Sequence, residues 1–267
     1  MTRNQPFALV YEVERTLYES SSTWEGIDAQ EIPLSEGEVV LRIQPGFAAA
    51  MPLRFHPATV ETSLAHSIEQ VEAIVPWCLW VIGPSSQPSD LQQRFVALGF
   101  TVRMEWEGLT LDDLSLSLPT TAGLVIEPLC WDNSEAYATA MAGGTESPYR
   151  AELLSQAHRF LQMSPQEVQI DVARLDGKIA GFGVLRLEPN GVAYLRNAMT
   201  VPAFRNRGVY LSLVAHRLAV ARTMGCTSAV LQAQTATSAP ILIKRGFKPV
   251  CRFVGLARKR PASTTSN

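Results

Sequence analysis

A chain of 267 residues with 46% apolar and 18% charged side chains can bury a real core, and its length suits one domain or two. So low a charge content excludes intrinsic disorder as the organising state. A net charge of −2 gives neither the basic face that a nucleic acid would need nor the polybasic patch that an anionic membrane would attract.

No run of residues approaches the length of a membrane span. The opening M-T-R-N-Q-P-F has no long apolar stretch of the kind a secretory signal needs, so the expectation is a cytoplasmic protein. Cys78, Cys130, Cys226 and Cys251 are scattered and form no C-x-x-C; they read as reduced core cysteines. His56, His66, His158 and His216 show no metal-ligand spacing against them, so no metal is expected.

Apolar positions at helical spacing predict a first helix over Phe7 to Tyr18. A strand follows over Glu38 to Ile43, ended by a Pro45-Gly46 turn. Val60, Leu64, Ile68, Val71 and Ile74 make the stripe of a second helix. Trp77 to Ile82 reads as a short buried strand, with Trp77 and Trp80 filling core. After a loop, Ser89 or Asp90 can cap a helix through Leu91, Phe95 and Leu98. Gly99-Phe100 stops that helix, and Thr101 to Trp106 is the next strand.

The composition then shifts. L-S-L-S-L-P-T-T-A-G, from Leu114 to Gly123, reads as a linker between two domains. Beyond it come a strand at Leu124 to Glu127 and a helix through Tyr137 and Met141, capped by Asp132 or Asn133. Gly143-Gly144 breaks that helix, and Pro148 opens another through Leu153, Leu154, Phe160 and Leu161. Three strands form a meander: Val168 to Val172, Ile179 to Leu187 and Val192 to Val201. Asp176-Gly177 and Asn190-Gly191 are its hairpin turns. A helix after Gly208, a strand at Thr227 to Ala233, a short helix from Ser238 and a strand at Pro249 to Leu256 complete the chain. Strand, helix, Gly-Phe, strand occurs at Trp77 to Trp106 and again at Ala229 to Val254, a weak internal repeat.

The most informative stretch is Met199 to Tyr210, M-T-V-P-A-F-R-N-R-G-V-Y. A strand is broken by Pro202, a turn carries Arg205, Arg207 and Gly208, and a helix begins at once. The first N–H groups of a helix lack intrahelical partners, its dipole is positive at that end, and arginine forks suit phosphate oxygens. Gly208 lets a ligand approach the backbone. A pyrophosphate fits such a place.

These residues resemble the GNAT superfamily of acyl-CoA-dependent N-acyltransferases, whose signature R/Q-x-x-G-x-G/A reads here as Arg205-x-x-Gly208-x-Tyr210. A second landmark, a short helix ending in Gly-Phe, reads here as Ser238 to Phe247. The resemblance covers about residues 123 to 258. It implies an α/β fold with a mixed sheet: a GNAT domain at 118–260 after a degenerate GNAT-like half at 1–117 that lacks a CoA site, with 261–267 as a flexible tail. Tyr210 stands where Gly or Ala is usual, and Leu242 where many members carry a tyrosine that acts as general acid.

Carried over, the resemblance puts the thioester carbonyl and pantetheine arm of acetyl-CoA on the main chain of Met199, Thr200 and Val201. The pyrophosphate falls on Asn206, Arg207, Gly208, Val209, Tyr210 and Leu211 beside Arg205, and Ser238 touches the cofactor through its hydroxyl. Many members use a glutamate on the preceding strand as base; Tyr194 occupies that slot. Tyr194 and Asn197 are therefore the catalytic candidates, with ordinary strand roles as the alternative for each. Glu146 is a loop acid that could reach the acceptor side, or a solvated one. His216 is expected at a surface. The implied activity is direct transfer of an acetyl group from acetyl-CoA to a primary amine of a small molecule or peptide, by a monomer or homodimer. A CoA-binding regulatory protein without turnover and a mere packing module are the alternatives.

Overall fold

The computed structural model describes residues 5–19 and 28–258, with side chains from residue 9 onward; the tail expected at 261–267 lies outside the described residues. The first half contains α1 (Gln5–Tyr18), β1 (Gln30–Pro33), β2 (Glu38–Gln44), β3 (Phe47–Arg54), α2 (Val60–Ile74), β4 (Leu79–Ile82), α3 (Leu91–Ala97) and β5 (Thr101–Leu111). The second contains β6 (Val125–Pro128), α4 (Trp131–Ala142), α5 (Arg150–Met163), β7 (Val168–Leu175), β8 (Lys178–Leu187) and β9 (Val192–Thr200). It continues through α6 (Val209–Thr223), β10 (Ser228–Gln234), α7 (Ser238–Ile243) and β11 (Lys248–Ala257). Among the described residues, no helix is long and apolar enough to cross a membrane.

Two strands have no counterpart in the sequence expectations. β3 reads F-A-A-A-M-P-L-R, an alanine run with a proline, which has poor strand propensity. It forms because it is enclosed by partners, β2 on one side and β4 on the other. Pro52 falls opposite the register shift between Val39 and Leu41, where a bulge tolerates the missing N–H. β1 is a short, mostly exposed polar edge strand. The helix caps also differ. Cys130 is the N-cap of α4, and the Asn133 carboxamide accepts its N–H at 2.9 Å. The Asp176-Gly177 hairpin has both residues at positive φ, 54° and 74°, as a type I′ turn requires.

All eleven described strands form one sheet, in the order β1-β2-β3-β4-β11-β5-β10-β9-β8-β7-β6. β5 and β11 lie side by side and antiparallel, with β4 beyond β11 and β10 beyond β5. Each half thus lends its last strand to the other. The expected linker around Leu114 to Gly123 separates two halves of the chain, but it does not divide the sheet.

The arrangement is symmetric about the β5–β11 pair. β3 and β4 are parallel across α2, and β9 and β10 are parallel across α6. Gly99 and Gly246, both at positive φ, each turn a following phenylalanine into core, Phe100 and Phe247. The internal repeat is therefore visible in the backbone. Helices α2 and α3 cover one face of the first half, where Leu64, Trp80 and Phe95 are buried together. α6 and α7 continue that layer around Leu218, Leu242 and Phe247. Opposite them α1 lies across β5, β10 and β11, and α4 packs on β8.

Candidate functional site

β9 and β10 pair at only three register positions, the last being Tyr194 with Val230. Beyond it β9 runs on to Thr200 and β10 to Gln234, so the strands part. At the parting, Asn197 takes φ 36° and is skipped by the β8 register, which passes from Arg196 to Ala198. This is a bulge, and asparagine tolerates it better than most residues. The Val201 N–H donates to the Ala180 carbonyl at 2.9 Å, so strand alternation turns the main-chain groups of Thr200 toward the gap. The Thr200 hydroxyl is buried with no partner among the described residues.

The chain then makes a single 3-10 turn, Pro202–Phe204, and enters the expected basic turn. Asn206 and Gly208 both have positive φ, 61° and 77°. The first intrahelical bond of α6 is Ser212 N–H to the Gly208 carbonyl at 3.0 Å. The N–H groups of Val209, Tyr210 and Leu211 thus point out of the helix end unpaired by the helix. The two arginines differ. Arg207 pairs with Asp176 of the β7–β8 hairpin at 2.9 Å and lies over the Phe204 ring. Arg205 is exposed and makes no ion pair among the described residues.

Three contacts around this turn escaped the sequence reading. Thr121, from the linker, donates its hydroxyl to the Arg207 carbonyl at 2.7 Å and its N–H to the Ser212 hydroxyl at 2.9 Å. A side chain on Gly208 would run into the Thr121 hydroxyl. Tyr210 is half-buried with its hydroxyl close to that of Ser238, and burial holds its pKa above the usual phenol value. Ser238, expected to face the cofactor, thus meets Tyr210 and is the first residue of α7, whose N-cap is Thr237. Leu242 is fully buried beside Phe247.

Behind the bulge lies Arg217 of α6, 1% exposed. Its guanidinium donates to the Leu213, Val184 and Arg196 carbonyls at 3.1, 3.0 and 3.3 Å. Burial lowers its pKa, and the nearby Tyr210 and Asp171 oppose that. Gly183 leaves room for it, since a Cβ there would lie 2.8 Å from Arg217 Cζ.

On the α1 side, the parting opens into a cavity of about 380 Å3 bounded by both halves. Tyr194, Leu195, Arg196 and Asn197 supply one wall. The first half supplies the floor through alternate residues of β3 and β4, Phe47, Ala49, Met51, Leu79 and Val81. Tyr194 is 2% exposed; its hydroxyl donates to Gln232 at 2.8 Å, and the Gln232 amide donates on to the Val13 carbonyl. Asn197 is exposed at the rim. Glu146 is exposed in its loop and accepts a hydrogen bond from Thr145; it does not line this cavity. His216 lies 3.4 Å from buried Asp171 and lines a different groove beside Thr120 and Thr121. The cysteines are free, and burial pushes the Cys78 thiol up to about 12. Among the described residues, no cluster of His, Cys, Asp and Glu is placed to hold a metal.

The arrangement can take an extended ligand. Its anionic end would meet the α6 N-terminus and Arg205, its middle the free strand edge near Thr200, and its tip the cavity by the bulge. Residues 131–247 match the model of the acetyltransferase (GNAT) family. The chain is also similar to a GCN5-related N-acetyltransferase from Kribbella flavida, at 19% identity over 87% of this chain and 90% of that one, with a TM-score of 0.59. A tandem GNAT protein from the clavulanic acid biosynthesis pathway is 14% identical over 98% of this chain and 97% of that one, with a TM-score of 0.61. A GCN5-related N-acetyltransferase from Sphaerobacter thermophilus is 16% identical over 84% and 81%, with a TM-score of 0.56. No curated protein matches the chain in sequence. The second half of this chain carries a GNAT domain, of a family that transfers acyl groups from acyl-CoA.

Proposed function

We propose that this GNAT domain transfers an acetyl group from acetyl-CoA to a primary amine seated in the cavity between the two halves, as a cytoplasmic enzyme. The observation that carries the reading is the parting of β9 and β10 beside the bare N-terminus of α6, with the cavity at its inner end. The N–H groups of Val209 to Leu211 and the Arg205 guanidinium would hold the pyrophosphate. The main chain of Thr200 would hold the pantetheine arm, whereas the Val201 N–H and carbonyl are already taken by Ala180 and Phe204, and an N–H near the bulge would polarise the thioester carbonyl. The neutral amine nitrogen attacks the carbonyl carbon, a C–N bond forms, the C–S bond breaks, and CoA leaves as its thiol after taking up a proton. The amine loses one proton to solvent at the open rim. Positioning supplies much of the rate, since the two reactants become neighbours in one cleft.

The first half is proposed to bind no CoA and to serve as the floor of the acceptor site. A second reading, CoA binding without turnover, is favoured by one observation. Among the described residues lining the cavity there is no carboxylate or imidazole to act as base, and Leu242 is buried core. Thiol release from acetyl-CoA with a panel of primary amines separates the two. Amine-dependent release supports the enzyme; acetyl-CoA binding with no release from any amine supports the second reading.

A further inference from the structure

We infer that the acceptor is a monoamine with an apolar body, an arylalkylamine being the simplest case. This rests on the cavity being the acceptor site of the transfer proposed above. The floor that β3 and β4 give the cavity is apolar throughout, and β5 extends it with Met104 and Trp106, alternate residues of one strand. Near the bulge the lining turns polar but uncharged, with Asn197 of β9 and Gln232 and Gln234 of β10. An amine whose nitrogen reaches the bulge therefore lays the rest of its body along apolar surface.

That surface is not used up by the protein's own packing. Ala49, Met51, Leu79 and Val81 are buried, but Phe47, Met104 and Trp106 are only half-buried. Phe47 is held in place by the Trp77 ring, with centroids 6.0 Å apart. A ring or branched chain laid against these three side chains removes apolar area from water on both partners, and methionine sulfur favours an aromatic neighbour. The volume of about 380 Å3 admits a molecule of that size and falls at the lower end of ligand pockets. Charge offers no handle for a second ionised group. Arg42 is ion-paired with Glu31 and donates to the Tyr18 carbonyl, and Arg196 is not free either. The Gln232 carboxamide is taken up by the Tyr194 hydroxyl and the Val13 carbonyl. Among the described residues lining the cavity there is no Asp or Glu to receive a second ammonium. An ammonium set on the floor would lose its hydration without gaining a partner.

The test uses the full chain, by calorimetry in the presence of CoA and by thiol release with acetyl-CoA. The probes are ethylamine, isoamylamine, phenethylamine and spermidine. Isoamylamine and phenethylamine should bind at least tenfold more tightly than ethylamine, the scale on which an apolar pocket discriminates by size, and spermidine should bind more weakly than either. The order in kcat/KM should be the same. Trp106→Ala should remove most of the preference for phenethylamine over ethylamine, with its fold checked by a melting curve. If Trp106→Ala fails to fold, Met104→Ala decides in its place. Binding of ethylamine or spermidine as tight as that of phenethylamine overturns the inference while leaving the transfer reading intact. So does a folded Trp106→Ala variant that keeps the full preference. Failure of acetyl-CoA itself to bind overturns the transfer reading instead, and with it the acceptor role of the cavity.

Discussion

The Gln87 N–H donates to the Leu53 carbonyl at 2.9 Å, and the Gln87 carbonyl accepts the Phe55 N–H at 2.9 Å. These bonds close the gap between β3 and β4, the counterpart in the first half of the gap that stands open between β9 and β10. Main-chain groups already paired with Gln87 cannot pair with a pantetheine arm. The first turn of α2 adds Glu61, whose charge disfavours an anion at that end; Glu61 pairs with Arg94.

The chain should therefore bind one CoA. Calorimetry should give a stoichiometry near one, and acetyl-CoA at a hundredfold excess over Kd should add about 2.7 kcal/mol to stability. A stoichiometry near two, or a melting curve unmoved by millimolar acetyl-CoA, defeats the expectation.

The two turn arginines should contribute unequally. Arg205→Gln should weaken CoA binding by roughly tenfold or more, the scale of a charge-assisted hydrogen bond of about 1.5–3 kcal/mol. Arg207→Gln should weaken it less, because Arg207 already spends its charge on Asp176. The reverse ranking in calorimetry would reassign the phosphate contact.

Gly208→Ala should destabilise the fold by about 1–2 kcal/mol from its left-handed backbone alone. Collision with the Thr121 hydroxyl adds to this. Thr121→Ala in the same chain should recover the collision component and leave the backbone component. Denaturant titration of the two single variants and the double variant measures both. Gly208→Asp should accordingly harm folding as well as CoA binding, with the carboxylate facing the pyrophosphate.

Gly183→Ala should cost about 1–3 kcal/mol, since its methyl enters the space of the buried Arg217 guanidinium. Arg217→Met should cost a similar amount, about 1–3 kcal/mol, by leaving the Leu213, Val184 and Arg196 carbonyls without their buried donor. An Arg217→Met variant as stable as the parent would show that the guanidinium is replaceable packing.

The pH dependence of kcat/KM should follow the acceptor amine. With no carboxylate or imidazole among the described residues of the cavity lining, the rate should rise about tenfold per pH unit below the amine's own pKa and then level off. Amines of different basicity should shift the plateau with their pKa values. A plateau fixed near neutral pH for every amine would reveal a base supplied by the protein.

Much of the site was legible in the chain because it is local. Pro202, Arg205, Gly208 and the apolar rhythm after them specify strand, turn and helix start within a few residues. The structure shows these elements, along with the hairpin at Asp176-Gly177 and the two Gly-Phe stops. What eluded the sequence reading joins residues far apart. Thr121 braces Gly208 across the linker, and Tyr210 meets Ser238 across the end of β10. Arg42, Gln232 and Gln234 gave no signal as site residues, since nothing near them in the sequence marks them.

The sequence by itself determined most of the elements, the basic turn before α6 and the weak repeat, because helical and strand periods and turn chemistry are properties of short segments. Tertiary structure alone decided that β5 and β11 exchange places, because strand pairing is a choice among distant edges that no local propensity encodes. That exchange makes one sheet of two halves. It brings one face of β3 and β4 against the bulge at Asn197, and so decides what the cavity between the halves is made of.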